Sequence, residues 1–247
     1  GQERKMKLLF VRHGDPNYEI DSLTEKGWKE AAYLSEKLAK LDVKEFYVSP
    51  LGRAKDTASL TLERMNRAAI EKEWLREFAI SIERPDIPGR LGPAWDWLPE
   101  DWMAEEKYFL KDAWYDTDIM KKYGVKEEYD WICRNFDELL AELGYHRDGK
   151  IYRAEKSNND TYVFFCHLGL GCVLISHLLN ISPMILWHGL CAAPSSVTTV
   201  VTEERREGVA AFRMLSYGDI SHLYVKDEPP AFMARFCESF ANDERHD

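Results

Sequence analysis

The chain has 247 residues, 45% hydrophobic and 31% charged, a length and balance that suit an α/β domain with one large core and exclude a small stapled module. A formal net charge of −10, spread along the chain, disfavours a binder of nucleic-acid backbones, and no apolar run approaches membrane-spanning length. Five cysteines (Cys133, Cys166, Cys172, Cys191 and Cys237) show no CxxC spacing and read as reduced thiols, so a cytoplasmic protein is expected.

Residues 7–11 form a short apolar run that stops at Arg12-His13-Gly14, which predicts a buried strand ending in polar chemistry. Thr24 can cap a helix in which Ala31, Leu34 and Leu38 recur at helical spacing. Residues 45–49 read as a second strand, and Pro50 suits the first turn of a helix with Ala54, Ala58, Leu62 and Met65 on one face. Residues 70–75 predict a third strand.

From about residue 84 to 131 the alternation of strand and helix fails. This stretch holds Trp95, Trp97, Trp102, Trp114 and Trp131 among acids and prolines, and reads as an insertion able to pack as a helical cap. Residues 161–166 (TYVFFC) are a β-branched and aromatic strand followed at once by His167, and residues 169–179 form an apolar helix. Residues 195–202 and 209–215 predict a late strand pair. The alternation implies a three-layer α/β sandwich: a mostly parallel central sheet, helices on both faces, and the insertion over the strand carboxyl ends, where ligands gather in such folds.

Three pieces of chemistry fall at those ends. Arg12-His13-Gly14 sets an imidazole beside a fixed cation, although alone it fits a surface arginine and a hydrogen-bonded loop histidine equally well. Ser49 to Ala54 sets the Arg53 guanidinium at a helix N-terminus, beside amides that suit an oxyanion. His167 brings a second imidazole to the same edge. No histidine pair has metal-ligand spacing, so no metal site and no cofactor are expected. A reactive Cys166 is an alternative to an inert core thiol.

Taken together, KLLFVRHG, LTEKGWKEAAYLSEKLA, VSPLGRAKDTA and VFFCHLG resemble the histidine phosphatase (phosphoglycerate mutase-like) superfamily in order and spacing, over residues 6–77 and 161–223. The resemblance implies that His13 is the phosphorylated nucleophile, that Arg12, Arg53 and His167 hold phosphate oxygens, and that an acid near residue 77 donates the proton. Glu77 is the first choice, with Glu73 and Glu83 as competitors. The implied reaction is metal-independent hydrolysis of a small phosphomonoester through phosphohistidine.

Asp15-Pro16-Asn17-Tyr18 and Arg76-Glu77-Phe78 depart from the pattern of the cofactor-dependent mutases, and favour a phosphatase over mutase-type transfer or an inactive phospho-ligand module. HLG replaces the more usual HGG after the second histidine.

Overall fold

The strand Lys7–Arg12 (β1) sends Leu8 and Phe10 into one apolar cluster and Leu9 and Val11 into another, so alternate residues build cores on both faces of one sheet. The computed structural model describes residues 4–231, 238–241 and 243; Cys237 and His246 lie outside them. After β1 come β2 (Pro16–Asn17), β3 (Ser22–Leu23), α1 (Glu25–Leu38), β4 (Glu45–Val48), α2 (Gly52–Met65) and β5 (Ala69–Glu71). Next are β6 (Ile82–Arg84), β7 (Ile87–Gly92), α3 (Pro99–Trp102), α4 (Asp118–Lys122) and α5 (Val125–Glu142). The hairpin β8 (Tyr145–Asp148) and β9 (Ile151–Ala154) precedes β10 (Thr161–Cys166), α6 (Leu168–Leu179), α7 (Pro183–Gly189), β11 (Val197–Arg206), β12 (Val209–Asp219) and α8 (Ser221–Tyr224).

The eight-stranded sheet has the order β5-β4-β10-β1-β11-β12-β9-β8. Its core, β5, β4, β10 and β1, is parallel, as the alternation predicts. Beyond β1 every pairing is antiparallel, and the β8–β9 hairpin that finishes this half had no clear signal in the sequence.

Helices α1 and α2 cover one face through Leu34, Leu38, Ala54 and Ala58. On the other face α5, α6 and α7 share a continuous core with Trp97, Trp102 and Trp114 of the inserted segment. Thr24 caps α1 as expected, accepting a 3.1 Å bond from the Gly27 amide. No helix among the described residues is long and apolar enough to cross a membrane.

The third strand is shorter than expected: β5 ends at Glu71, and residues 73–75 form a 3₁₀ turn. Trp74 and Leu75 are buried in the core, so the apolar signal at 70–75 marks packing of a turn and not continuation of the strand. The inserted segment opens with the β6–β7 hairpin before its short helices, and Trp131 belongs to the long helix α5.

Candidate active site

Arg12 closes β1 and His13 follows it, Ser49 follows β4, His167 follows β10, and Arg53 stands in the first turn of α2. The rings of His13 and His167 lie 5.2 Å apart between centroids, inclined at 61°. Both are buried, at 3% and 1% exposure. Arg12 and Arg53 each act electrostatically on both rings, so the four side chains share one site.

Nδ1 of His13 is 2.8 Å from the carbonyl oxygen of Gly14. A carbonyl only accepts, so Nδ1 carries the proton and Nε2 keeps its lone pair. Burial, reinforced by the Arg12 charge, pushes the His13 pKa down to about 3. The ring is therefore neutral at physiological pH, the state in which an imidazole is nucleophilic.

His167 is fixed in the complementary tautomer. The Ser49 hydroxyl lies 2.7 Å from its Nε2 while accepting the Leu51 amide at 3.1 Å. With Leu51 on an oxygen lone pair, the buried hydroxyl proton points to Nε2, and Nδ1 holds the ring proton. Burial first, and then the neighbouring charges, lower the His167 pKa well below the ordinary value. His167 is therefore neutral in this environment, and its Nδ1–H can act as a donor.

Each guanidinium is anchored at one nitrogen. Arg12 Nη1 donates to the Ala192 carbonyl at 2.7 Å, and Arg53 Nη1 donates to Asp21 Oδ1 at 2.7 Å. The Nε of both arginines and Nδ1 of His167 are buried without a protein partner. Buried N–H groups are seldom left unpaired, so three such donors grouped with an imidazole lone pair suit a tetrahedral oxyanion.

Glu77 sits at the start of α6. Its Oε1 accepts from the amides of Phe78 (2.8 Å) and Leu170 (2.7 Å), and Oε2 from Gly169 (3.2 Å). Burial raises its pKa, opposed by these amides and by Arg12, and burial prevails. The competing acids are engaged elsewhere: Glu73 is exposed and pairs with Arg76 at 3.1 Å, while Glu83 binds Lys122 and Tyr123, both at 2.8 Å.

Gly169 explains how this chain accepts HLG in place of HGG. A Cβ there would lie 2.3 Å from Trp95 Cζ3 and 2.8 Å from Glu77 Oε1, whereas Leu168, in the position where the usual motif has glycine, is accommodated as the first residue of α6. Trp187 Nε1 donates to the Gly169 carbonyl at 3.0 Å, so this residue is enclosed on three sides.

The catalytic loop is held from below. The Gly14 amide donates to Thr57 Oγ1 (2.9 Å), whose hydroxyl donates to the Arg53 carbonyl (2.8 Å), and the Asp15 amide donates to Glu30 Oε1 (2.7 Å). Ser195, with φ of 69°, donates its amide to the carbonyls of Arg12 (3.1 Å) and His13 (3.0 Å), and its hydroxyl meets His222 Nε2 at 2.9 Å. His222 thus has a structural hydrogen-bonding role beside this loop.

Two expectations change. The first amides of α2 are taken by Asp21, which accepts from Gly52 at 2.6 Å and Arg53 at 3.4 Å, so that helix start is not open to an oxyanion. Burial raises the Cys166 thiol to about 12, which removes it as a nucleophile. His177, outside this site, is buried and pairs with Asp137 at 2.8 Å. Asp21, Ser49, Glu30, Ser195 and Trp95 were not singled out as individual site residues. Only Ser49, ending a strand within a quoted motif, carried a signal. Among the described residues no three His, Cys, Asp or Glu side chains gather to hold a metal ion.

The family model of the histidine phosphatase superfamily (branch 1) matches residues 8–214, and the chain belongs to that superfamily. A 2,3-bisphosphoglycerate-dependent phosphoglycerate mutase from Thermoplasma acidophilum is 30% identical over 90 residues, 32% of this chain and 45% of the mutase, so the match spans about half the length of that relative. Among solved structures, a mutant phosphoserine phosphatase from Entamoeba histolytica in complex with phosphoserine has a TM-score of 0.59 at 18% identity, covering 88% of this chain and 99% of that one. A mycobacterial glucosyl-3-phosphoglycerate phosphatase complexed with VO3 has a TM-score of 0.54 at 18% identity, covering 86% and 98%. At these identities the similarity establishes the shared fold.

Proposed function

We propose that the chain is a phosphomonoesterase that works through a phosphohistidine on His13. The observation that carries this reading is the neutral, buried His13, its Nε2 lone pair free, grouped with the unpartnered N–H donors of Arg12, Arg53 and His167. Nε2 attacks phosphorus and the ester P–O bond breaks, while the three donors stabilise charge on the non-bridging oxygens. Glu77 passes its proton to the departing alkoxide. Its carboxylate then takes a proton from water as that water attacks phosphohistidine, which releases inorganic phosphate and restores the enzyme. His13, Glu77 and His167 are the catalytic set, with Arg12 and Arg53 binding phosphate.

Hydrolysis of p-nitrophenyl phosphate in EDTA, abolished by His13→Ala, tests the reading. Acid-labile phosphate should be trapped on the wild type and not on the variant. Equal activity of the two proteins would refute it. The mutase match over 90 residues motivates a second reading: conversion of 3-phosphoglycerate to 2-phosphoglycerate faster than phosphate release would put it first.

A further inference from the structure

The phosphate groups above leave open what carries the ester. Two aromatic side chains lie near Glu77, the proposed donor to the departing alcohol. Trp95 packs its six-membered edge against the Gly169 backbone, at the same point that Glu77 Oε1 approaches. Its indole also lies 6.4 Å from the Trp187 ring, so it is backed by core. Tyr18, in the loop after β2, holds its ring 5.1 Å from the Arg53 guanidinium carbon. It interacts electrostatically with Arg12, Arg53 and Glu77 together. Tyr18 is 55% exposed, so it can meet a ligand from the solvent side.

The charges nearby argue against a second anionic group on the substrate. The cations acting on His13 and Tyr18 are Arg12 and Arg53, both assigned to the phosphoryl oxygens. Arg84, in the same segment as Trp95, is clasped by Asp86 at 2.7 Å and Asp96 at 3.5 Å, so its charge is already matched within the segment. A carboxylate or second phosphate on the alcohol would have no further cation among these groups to pair with, whereas an uncharged flat group needs only ring faces.

We propose, resting on the phosphatase reading, that the alcohol portion of the substrate is uncharged and aromatic, seated between Tyr18 and Trp95 with its ester oxygen at Glu77. Trp95 and Tyr18 are then the specificity-determining residues of this phosphatase.

Benzyl phosphate and ethyl phosphate test this, because their alcohols are similarly poor leaving groups and differ mainly in the ring. The wild type should show kcat/KM at least about tenfold higher for the benzyl ester, from burial of the extra apolar surface, and higher also than for phosphoserine or 3-phosphoglycerate. Trp95→Ala and Tyr18→Ala should each bring the benzyl-to-ethyl ratio toward unity, chiefly through KM. Tyr18 is exposed, so its variant keeps the test sound if the Trp95 variant does not fold. A wild-type ratio near one, a ratio unmoved by Tyr18→Ala, or a preference for phosphoserine or 3-phosphoglycerate would overturn the proposal. If these esters are hydrolysed in a His13-dependent way without preference, the substrate proposal alone falls. If no ester is hydrolysed, the phosphatase reading falls with it.

Discussion

The carbonyl oxygen of Gly14 and the Nδ1 of the adjoining His13 lie 2.8 Å apart, and this single contact decides which ring nitrogen can act. The acceptor comes from the next residue of the backbone, so it cannot be removed by replacing a side chain. The low His13 pKa of about 3 then keeps the proposed nucleophile neutral across the neutral pH range.

In the proposed reaction, the titrating group is therefore Glu77. Because its pKa is raised, kcat/KM for alkyl esters, corrected for ionisation of the ester, should fall as pH rises through the Glu77 pKa. Glu77→Gln should erase this alkaline limb and slow ethyl phosphate hydrolysis by about 10²–10⁴. p-Nitrophenyl phosphate, whose leaving group needs little protonation, should suffer much less. Equal losses of kcat/KM on both esters would assign the leaving-group proton to another group.

Gly169→Ala places a methyl group 2.3 Å from Trp95 and 2.8 Å from Glu77. The expected cost is about 1–3 kcal/mol in urea denaturation, the usual range for overpacking. Activity on ethyl phosphate should drop more than phosphate affinity, since Glu77 is displaced while the arginines stay. Unchanged stability would mean that Trp95 moves away freely.

Asp21 has a left-handed backbone, φ 47°, and its carboxylate accepts the first amides of α2 along with Arg53 Nη1. Asparagine tolerates that backbone and alanine does not. Stability by thermal and urea unfolding should rank wild type above Asp21→Asn above Asp21→Ala. The alanine variant should fall about 2–3 kcal/mol below wild type from loss of the cap and the backbone penalty together.

Glu30 is fully buried under the catalytic loop, with Oε2 unpartnered, and burial raises its pKa to about 7 against the opposing Asp15 amide. The folded state holds this proton more tightly than the unfolded chain. Its contribution to stability is complete below the ordinary value of 4.5 and disappears as pH rises to about 7. Glu30→Gln keeps an acceptor for Asp15 without a charge. Its stability relative to wild type should increase by about 3 kcal/mol between pH 4.5 and pH 8. A difference that stays constant over that span would show that Glu30 does not titrate there.

The sheet core was legible in the sequence because β1, β4 and β10 are apolar runs that stop abruptly at Arg12, Ser49 and His167. Burial on both faces writes such runs plainly. His13, His167, Arg12 and Arg53 were legible for the same reason, since each sits one to five residues past such a run. Glu77 could not be separated from Glu73 and Glu83 by sequence, because its place depends on the amides of Gly169 and Leu170, which carry no side-chain signature. Asp21, Glu30 and Ser195 act on backbone groups far along the chain and leave no local pattern. The antiparallel half was half-seen: β11 and β12 showed as a strand pair, but the direction of β11 relative to β1 is a matter of topology.

β10 lies between β1 and β4 in the sheet, although it is synthesised long after both. A nascent chain that has left the ribosome only as far as α5 therefore holds Arg12, His13, Arg53 and Glu77, but has a gap where its central strand belongs. Those two apolar strands must wait, exposed and without the neighbour that joins them, until residue 166 emerges. Loop closure over such a distance is slow, and His13 lacks the His167 side of its surroundings until late in translation.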